Sequence, residues 1–200
     1  MLAGIVLAAG LSSRMGAEKL LLPFGAGTVL EATLSRIPLD ILDHLVVVTR
    51  KEISDVLDLP ANVTVILNRT PQKGQSESLR LGITYLRSHF PNCRGVLVFL
   101  GDQPLTKRPL IIKVIKVINI SPAAIVVPEY QGFSGHPVGF GSAWFDELEA
   151  QNGDIGGRRL ISNHSEAVIR IQGDETSIMD MDSKADYWRL LDYAEKHQSI

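Results

Sequence analysis

Short, almost wholly apolar runs recur at intervals too long for hairpins, and this constrains the fold more than any other feature of the chain. Ile5-Val6-Leu7, Leu45-Val46-Val47-Val48, Val63-Thr64-Val65-Ile66-Leu67 and Val96-Leu97-Val98-Phe99-Leu100 are such runs, and Ala124-Ile125-Val126-Val127 is a fifth. A strand with one wet face alternates apolar and polar residues, whereas a strand covered by helices on both faces has no reason to. Helical patterns lie between the runs, near Thr28 to Arg36, Glu52 to Leu57, Ser76 to Ser88 and Pro109 to Ile118. This β-α-β-α order predicts an α/β fold with an open, doubly wound, mostly parallel sheet flanked by helices.

After Pro128 the pattern loosens. Pro137 to Phe140 and Ala167 to Ile171 read as short strands, with helices near Ser142 to Ala150, Gly156 to Ser162 and Lys184 to Lys196. Two hundred residues without a repeat or a linker fit one domain over 1–200. Within it, a nucleotide half is expected over about 1–120 and an acceptor half over about 121–200. A net charge of −2 argues against a nucleic-acid partner. No apolar run reaches the length of a membrane helix, and the first residues lack the basic region of a signal peptide, so a cytoplasmic protein is expected. The single cysteine, Cys93, reads as buried filler.

The first run leads directly into Ala8-Ala9-Gly10-Leu11-Ser12-Ser13-Arg14-Met15-Gly16. In a parallel sheet, ligands collect beyond the carboxyl ends of the strands, where this loop must lie. Small residues let backbone N–H groups approach phosphate oxygens, and Arg14 and Lys19 add positive charge. Neither GxxxxGK[ST] nor GxGxxG is present. The stretch from Leu7 to Leu20 instead resembles the LAAGxSxRMGxxK signature of the MobA-like NTP transferase family, nearest its molybdenum cofactor cytidylyltransferase branch. The resemblance implies a Rossmann-like fold. It also implies a loop around an NTP triphosphate formed by Leu7, Ala8, Ala9, Gly10, Ser12 and Ser13, with Arg14 and Lys19 on the phosphates.

Further motifs follow in the order the family would have them. Gly101-Asp102-Gln103-Pro104 places a carboxylate at the end of the fourth run, where a cation is its natural mate, although a turn aspartate would look the same. The resemblance makes Asp102 a catalytic metal ligand for Mg²⁺ and sets Gln103 on the acceptor side. Asp180-Met181-Asp182 offers a second carboxylate, with residues two apart on one face. Asp182 is the favoured ligand, unless it caps the helix beginning near Lys184. Asn68, Gly74, Ser78 and Leu79 resemble the family's N…GxxxSL segment around base and ribose. On local grounds Ser76 reads as a helix N-cap, with Leu79 and Ile83 packing inward. His136, in Gly135-His136-Pro137, resembles an acceptor-side motif, though a lone histidine is more often structural. In Gly153-Asp154-Ile155-Gly156-Gly157-Arg158, Asp154 reads as a cap and Arg158 as a contact for an acceptor phosphate.

The resemblance implies transfer of a nucleoside monophosphate from an NTP to a phosphorylated small molecule, with Mg²⁺ as cofactor. CTP is the expected NTP, because guanylyl transferases of the family tend to carry glycine where Ala9 stands. Molybdopterin is the expected acceptor. A sugar 1-phosphate acceptor is one alternative, and a carrier that delivers cofactor to a client molybdoenzyme is another.

Overall fold

The computed structural model describes residues 1–11, 16–57, 59–60, 62–153 and 156–197. The strands are β1 (Leu2–Ala8), the two-residue β2 (Pro23–Phe24) and β3 (Gly27–Thr28), β4 (His44–Thr49), β5 (Val63–Leu67), β6 (Gly95–Leu100), β7 (Ile125–Tyr130), β8 (Phe133–Ser134), β9 (Val138–Gly141) and β10 (Val168–Gln172). The helices are α1 (Val29–Arg36), α2 (Lys51–Ser54), α3 (Gln75–His89), α4 (Arg108–Ile120), α5 (Phe145–Ala150), α6 (Arg158–Asn163) and α7 (Lys184–Lys196).

The main sheet runs β10-β7-β9-β6-β1-β4-β5, with β8 paired to β7. β1 lies parallel to both β4 and β6, β4 to β5, and β10 to β7. β9 runs antiparallel to both β6 and β7 and so joins two parallel blocks through one reversed strand. The mostly parallel sheet with helices on both faces agrees with the reading of the apolar runs.

Alternation within those runs explains why both faces are dry. Leu45 and Val47 of β4 pack in one core with Leu30 of α1 and Ile111 and Val114 of α4. Val46 and Val48 pack on the other face with Leu79, Ile83 and Leu86 of α3. Successive side chains on a strand point to opposite faces, so a run buried on both sides has to be apolar throughout. A third cluster joins Phe24 and Val29 to Met179, Met181 and Leu190, and it seats α7 against the β2–β3 hairpin.

Several local expectations are corrected. Ser76 is not an N-cap: Gly74 holds that position at φ +89°, where glycine is favoured, and the Ser76 hydroxyl accepts the Gly156 N–H at 3.2 Å. Asp182 does not cap α7, because Ser183 does so in a capping box with Asp186. The helix expected over 52–57 is the single turn α2, and that over 142–150 begins with a 3-10 turn at Ser142–Trp144. Asp154, read as a cap, lies outside the described residues.

Candidate active site

The carboxyl ends of β1 and β6 open into a cleft of about 430 Å³. Leu7, Ala8, Ala9 and Gly10 form one wall, and Gly74, Gln75 and Ser78 at the start of α3 form another. Lys19, Asp102, Asp180 and Asp182 line its polar end, with Arg158 nearby. The strand order makes this convergence possible. β1 and β6 are neighbours in register, so the residues following Ala8 and Leu100 leave the sheet side by side, and the Gly101 N–H donates to the Leu7 carbonyl at 3.0 Å.

Lys19 is the centre of the polar end. Its Nζ donates to Asp102 Oδ2 at 2.5 Å, to the Met181 carbonyl at 2.7 Å and to Asp182 Oδ1 at 3.3 Å. Burial disfavours its charge, but the carboxylates of Asp102 and Asp182 outweigh that, and its pKa stands above the ordinary lysine value. Asp180 and Asp182 flank Met181, which is fully buried, so the extended segment turns its methionine inward and both carboxylates to the cleft. Burial, reinforced by the charges of Asp102 and Asp182, pushes the Asp180 carboxyl above the usual carboxylate range.

Three carboxylates on one cleft, one with its ionisation opposed by the others, suit a divalent cation that shares its remaining positions with phosphate oxygens and water. Among the described residues, no three His, Cys, Asp or Glu side chains form a ready-made metal cage. Lys19 occupies the ground between Asp102 and Asp182.

The other anticipated residues divide. Asn68 is buried behind the wall, where its Nδ2 donates to Ser78 Oγ at 2.9 Å and its Oδ1 accepts the Thr70 N–H at 2.9 Å. It therefore shapes the wall through Ser78 and does not line the cleft. Gln103 is also buried away from the cleft, and its Oε1 has no hydrogen-bond donor among the described residues. His136 lines a smaller cavity of about 50 Å³ that shares Leu7, Gln75 and Arg158 with the main cleft. Burial, with the nearby Arg158 charge, lowers the His136 pKa to about 4, so the ring is neutral at pH 7. Ser12, Ser13 and Arg14 lie outside the described residues. Gln75 was not anticipated, although its place after Gly74 at a helix start following a strand is a usable signal.

A family model described as the MobA-like NTP transferase domain matches residues 4–168. The chain belongs to the MobA-like NTP transferase family. It is a nucleotidyltransferase of that family, and relatives cover most of its length. The purine catabolism protein PucB of Bacillus subtilis strain 168 is 27% identical over 198 residues, spanning 93% of this chain and 94% of PucB. The molybdenum cofactor cytidylyltransferase of Escherichia coli K12 is 27% identical over 137 residues, 67% of each chain. Among solved structures, Rv0371c of Mycobacterium tuberculosis H37Rv superposes with a TM-score of 0.82 at 31% identity, covering 96% of this chain and 97% of that one. A complex of Rv0371c with manganese matches at 30% identity and a TM-score of 0.79, covering 96% of this chain and 98% of that one. No helix among the described residues of this MobA-like protein is long and apolar enough to cross a membrane.

Proposed function

We propose that this nucleotidyltransferase moves CMP from CTP to a phosphorylated acceptor of the molybdopterin type and releases pyrophosphate. The observation that carries the proposal is the convergence of Lys19, Asp102 and Asp182 at one end of a cleft whose walls are the small-residue loop after β1 and the start of α3. An acceptor phosphate oxygen attacks the α-phosphorus, the bond to the bridging oxygen of the β-phosphate breaks, and that electron pair leaves with pyrophosphate. A phosphate monoester is already anionic, so alignment and charge neutralisation carry the catalysis and no general base is required.

Asp102 and Asp182 would hold a divalent cation, Mg²⁺ by preference, which neutralises charge on the phosphates when bound. The crystallisation of Rv0371c with manganese supports that reading. Lys19, with Arg14, would bind phosphates, the backbone from Leu7 to Gly10 would wrap the triphosphate, and Gly74 and Ser78 would help enclose base and ribose. Arg158 and the neutral His136 would face the acceptor. One folded unit over 1–200 would carry both half-sites. CTP is favoured because Ala9 is buried on the cleft wall, and its methyl group narrows the space open to a purine. The E. coli cytidylyltransferase agrees with this choice.

PucB, similar over nearly the whole chain, favours a second reading in which the product serves purine catabolism. Pyrophosphate release with molybdopterin and each NTP, with and without Mg²⁺, tests the first reading. CTP-dependent release that needs Mg²⁺ is expected. A clear preference for GTP overturns the choice of base. Release only with a different phosphorylated acceptor overturns the choice of molybdopterin.

A further inference from the structure

The last residue of β4 and the residue after it hold the chain on either side of the loop that precedes Lys19. The buried Thr49 hydroxyl donates to the carbonyl of Ala8, the last residue of β1, at 2.9 Å. Arg50, the next residue, ion-pairs through Nη2 with Glu18 Oε2. Ala8 is where the chain leaves the sheet, and Glu18 stands immediately before Lys19 at the start of a 3-10 turn.

The Arg50–Glu18 pair is not a solvent-swept surface contact, since the two side chains are 17% and 23% exposed. Arg50 Nε is buried with no acceptor among the described residues. Its Nη1 lies 3.7 Å from Glu52 Oε2, so carboxylates hold the guanidinium from two sides. Beyond Glu18 the anchoring continues. Leu20 is buried in the core, and Lys19 between them reaches Asp102. Glu18 and Leu20 therefore brace the backbone on either side of the ammonium that meets the carboxylates.

We propose that Thr49 and Arg50 act as a clamp on both legs of this segment, and that Arg50, working through Glu18, is a positioning residue for Lys19. A fixed Glu18 backbone leaves the Lys19 ammonium little freedom to drift from Asp102 and Asp182. The catalytic consequence of the clamp rests on the nucleotidyl-transfer reading of the cleft.

Steady-state kinetics and hydrogen–deuterium exchange on the full chain test it together. Arg50→Gln and Glu18→Gln are each expected to lower kcat/KM for CTP about tenfold with the acceptor KM unchanged, as a small misplacement of a charge near the chemistry does. The double variant is expected to lose no more than either single one, because both remove the same contact. Unchanged kcat/KM in both single variants, or losses that multiply in the double variant, would overturn the positioning role. In the protein without nucleotide, the amides of residues 16–20 are expected to exchange faster in Arg50→Gln than in the wild type. Unchanged exchange would overturn the clamp itself. That readout involves no turnover, so a wild-type protein inactive with every NTP would count against the nucleotidyl-transfer reading and leave the clamp to be decided by exchange.

Discussion

The block β5-β4-β1-β6 and the block β9-β7-β10 share one sheet but are built differently. In the first, every pairing is parallel, and the central β1 and β4 are buried almost end to end. In the second, β9 runs against both neighbours, and β10 at the edge keeps Ile169 and Arg170 exposed. The first block presents the ends of β1 and β6 to one cleft, and its loops supply the candidate phosphate and base contacts. The second contributes side chains from loops and short helices, such as His136 and Arg158. A rigid parallel block suits chemistry common to a family, while the looser block can change its loops to suit a different acceptor without disturbing the first.

Substitutions in each block test this division of labour. The largest effect is expected at the shared chemistry. Asp102→Asn should lower CTP-dependent pyrophosphate release by about 100- to 1,000-fold with every acceptor tried, since a preorganised charge contact is lost. A loss confined to one acceptor would move Asp102 to the acceptor side. Next comes the seam. A Cβ at Gly141 would lie 1.8 Å from the Pro122 carbonyl oxygen, so Gly141→Ala should cost about 3 kcal/mol in chemical denaturation, the upper end of ordinary overpacking. Wild-type stability would show that the backbone at the reversed strand can give way.

Asp182→Asn should reduce turnover by about 100-fold and Asp180→Asn by less, again as loss of an electrostatic contact. The reverse order would make Asp180 the ligand. His136→Gln should raise the acceptor KM about tenfold and leave the CTP KM alone, the size of one lost polar contact in a binding site.

The same histidine has a pH signature. Its folded pKa of about 4 lies below the ordinary value, so between roughly pH 6.5 and 4 the unfolded chain binds more protons than the folded one. Stability should therefore fall as pH drops through that window, and the melting temperature of His136→Gln should fall less. The smallest effect is expected where the blocks touch. Ser76→Ala removes the acceptor of the Gly156 N–H and should cost about 1 kcal/mol, read from urea denaturation.

Much of the first block was legible along the chain, because a strand covered on both faces writes its burial into consecutive residues. Val46 and Val47 face different cores, and both had to be apolar. The second block was less legible. β10 is half exposed and carries no continuous run, and the reversal of β9 leaves no mark in its four residues. Hydrogen-bond assignments were the least legible. Ser76 looked like a cap and serves Gly156, Asn68 looked like a base contact and supports Ser78, and Asp182 looked like a rival cap until Ser183 took that role.

The parallel strands, the order of the motifs and the small-residue loop are written along the chain, because periodicity and backbone permissiveness are properties of neighbouring residues. The meeting of Lys19 with Asp182, 163 residues away, and of Thr49 and Arg50 with Ala8 and Glu18, comes from the packed fold. Such meetings depend on which strands lie side by side, and strand order follows from how the helices pack on the two faces of the sheet. No local pattern along the chain encodes it.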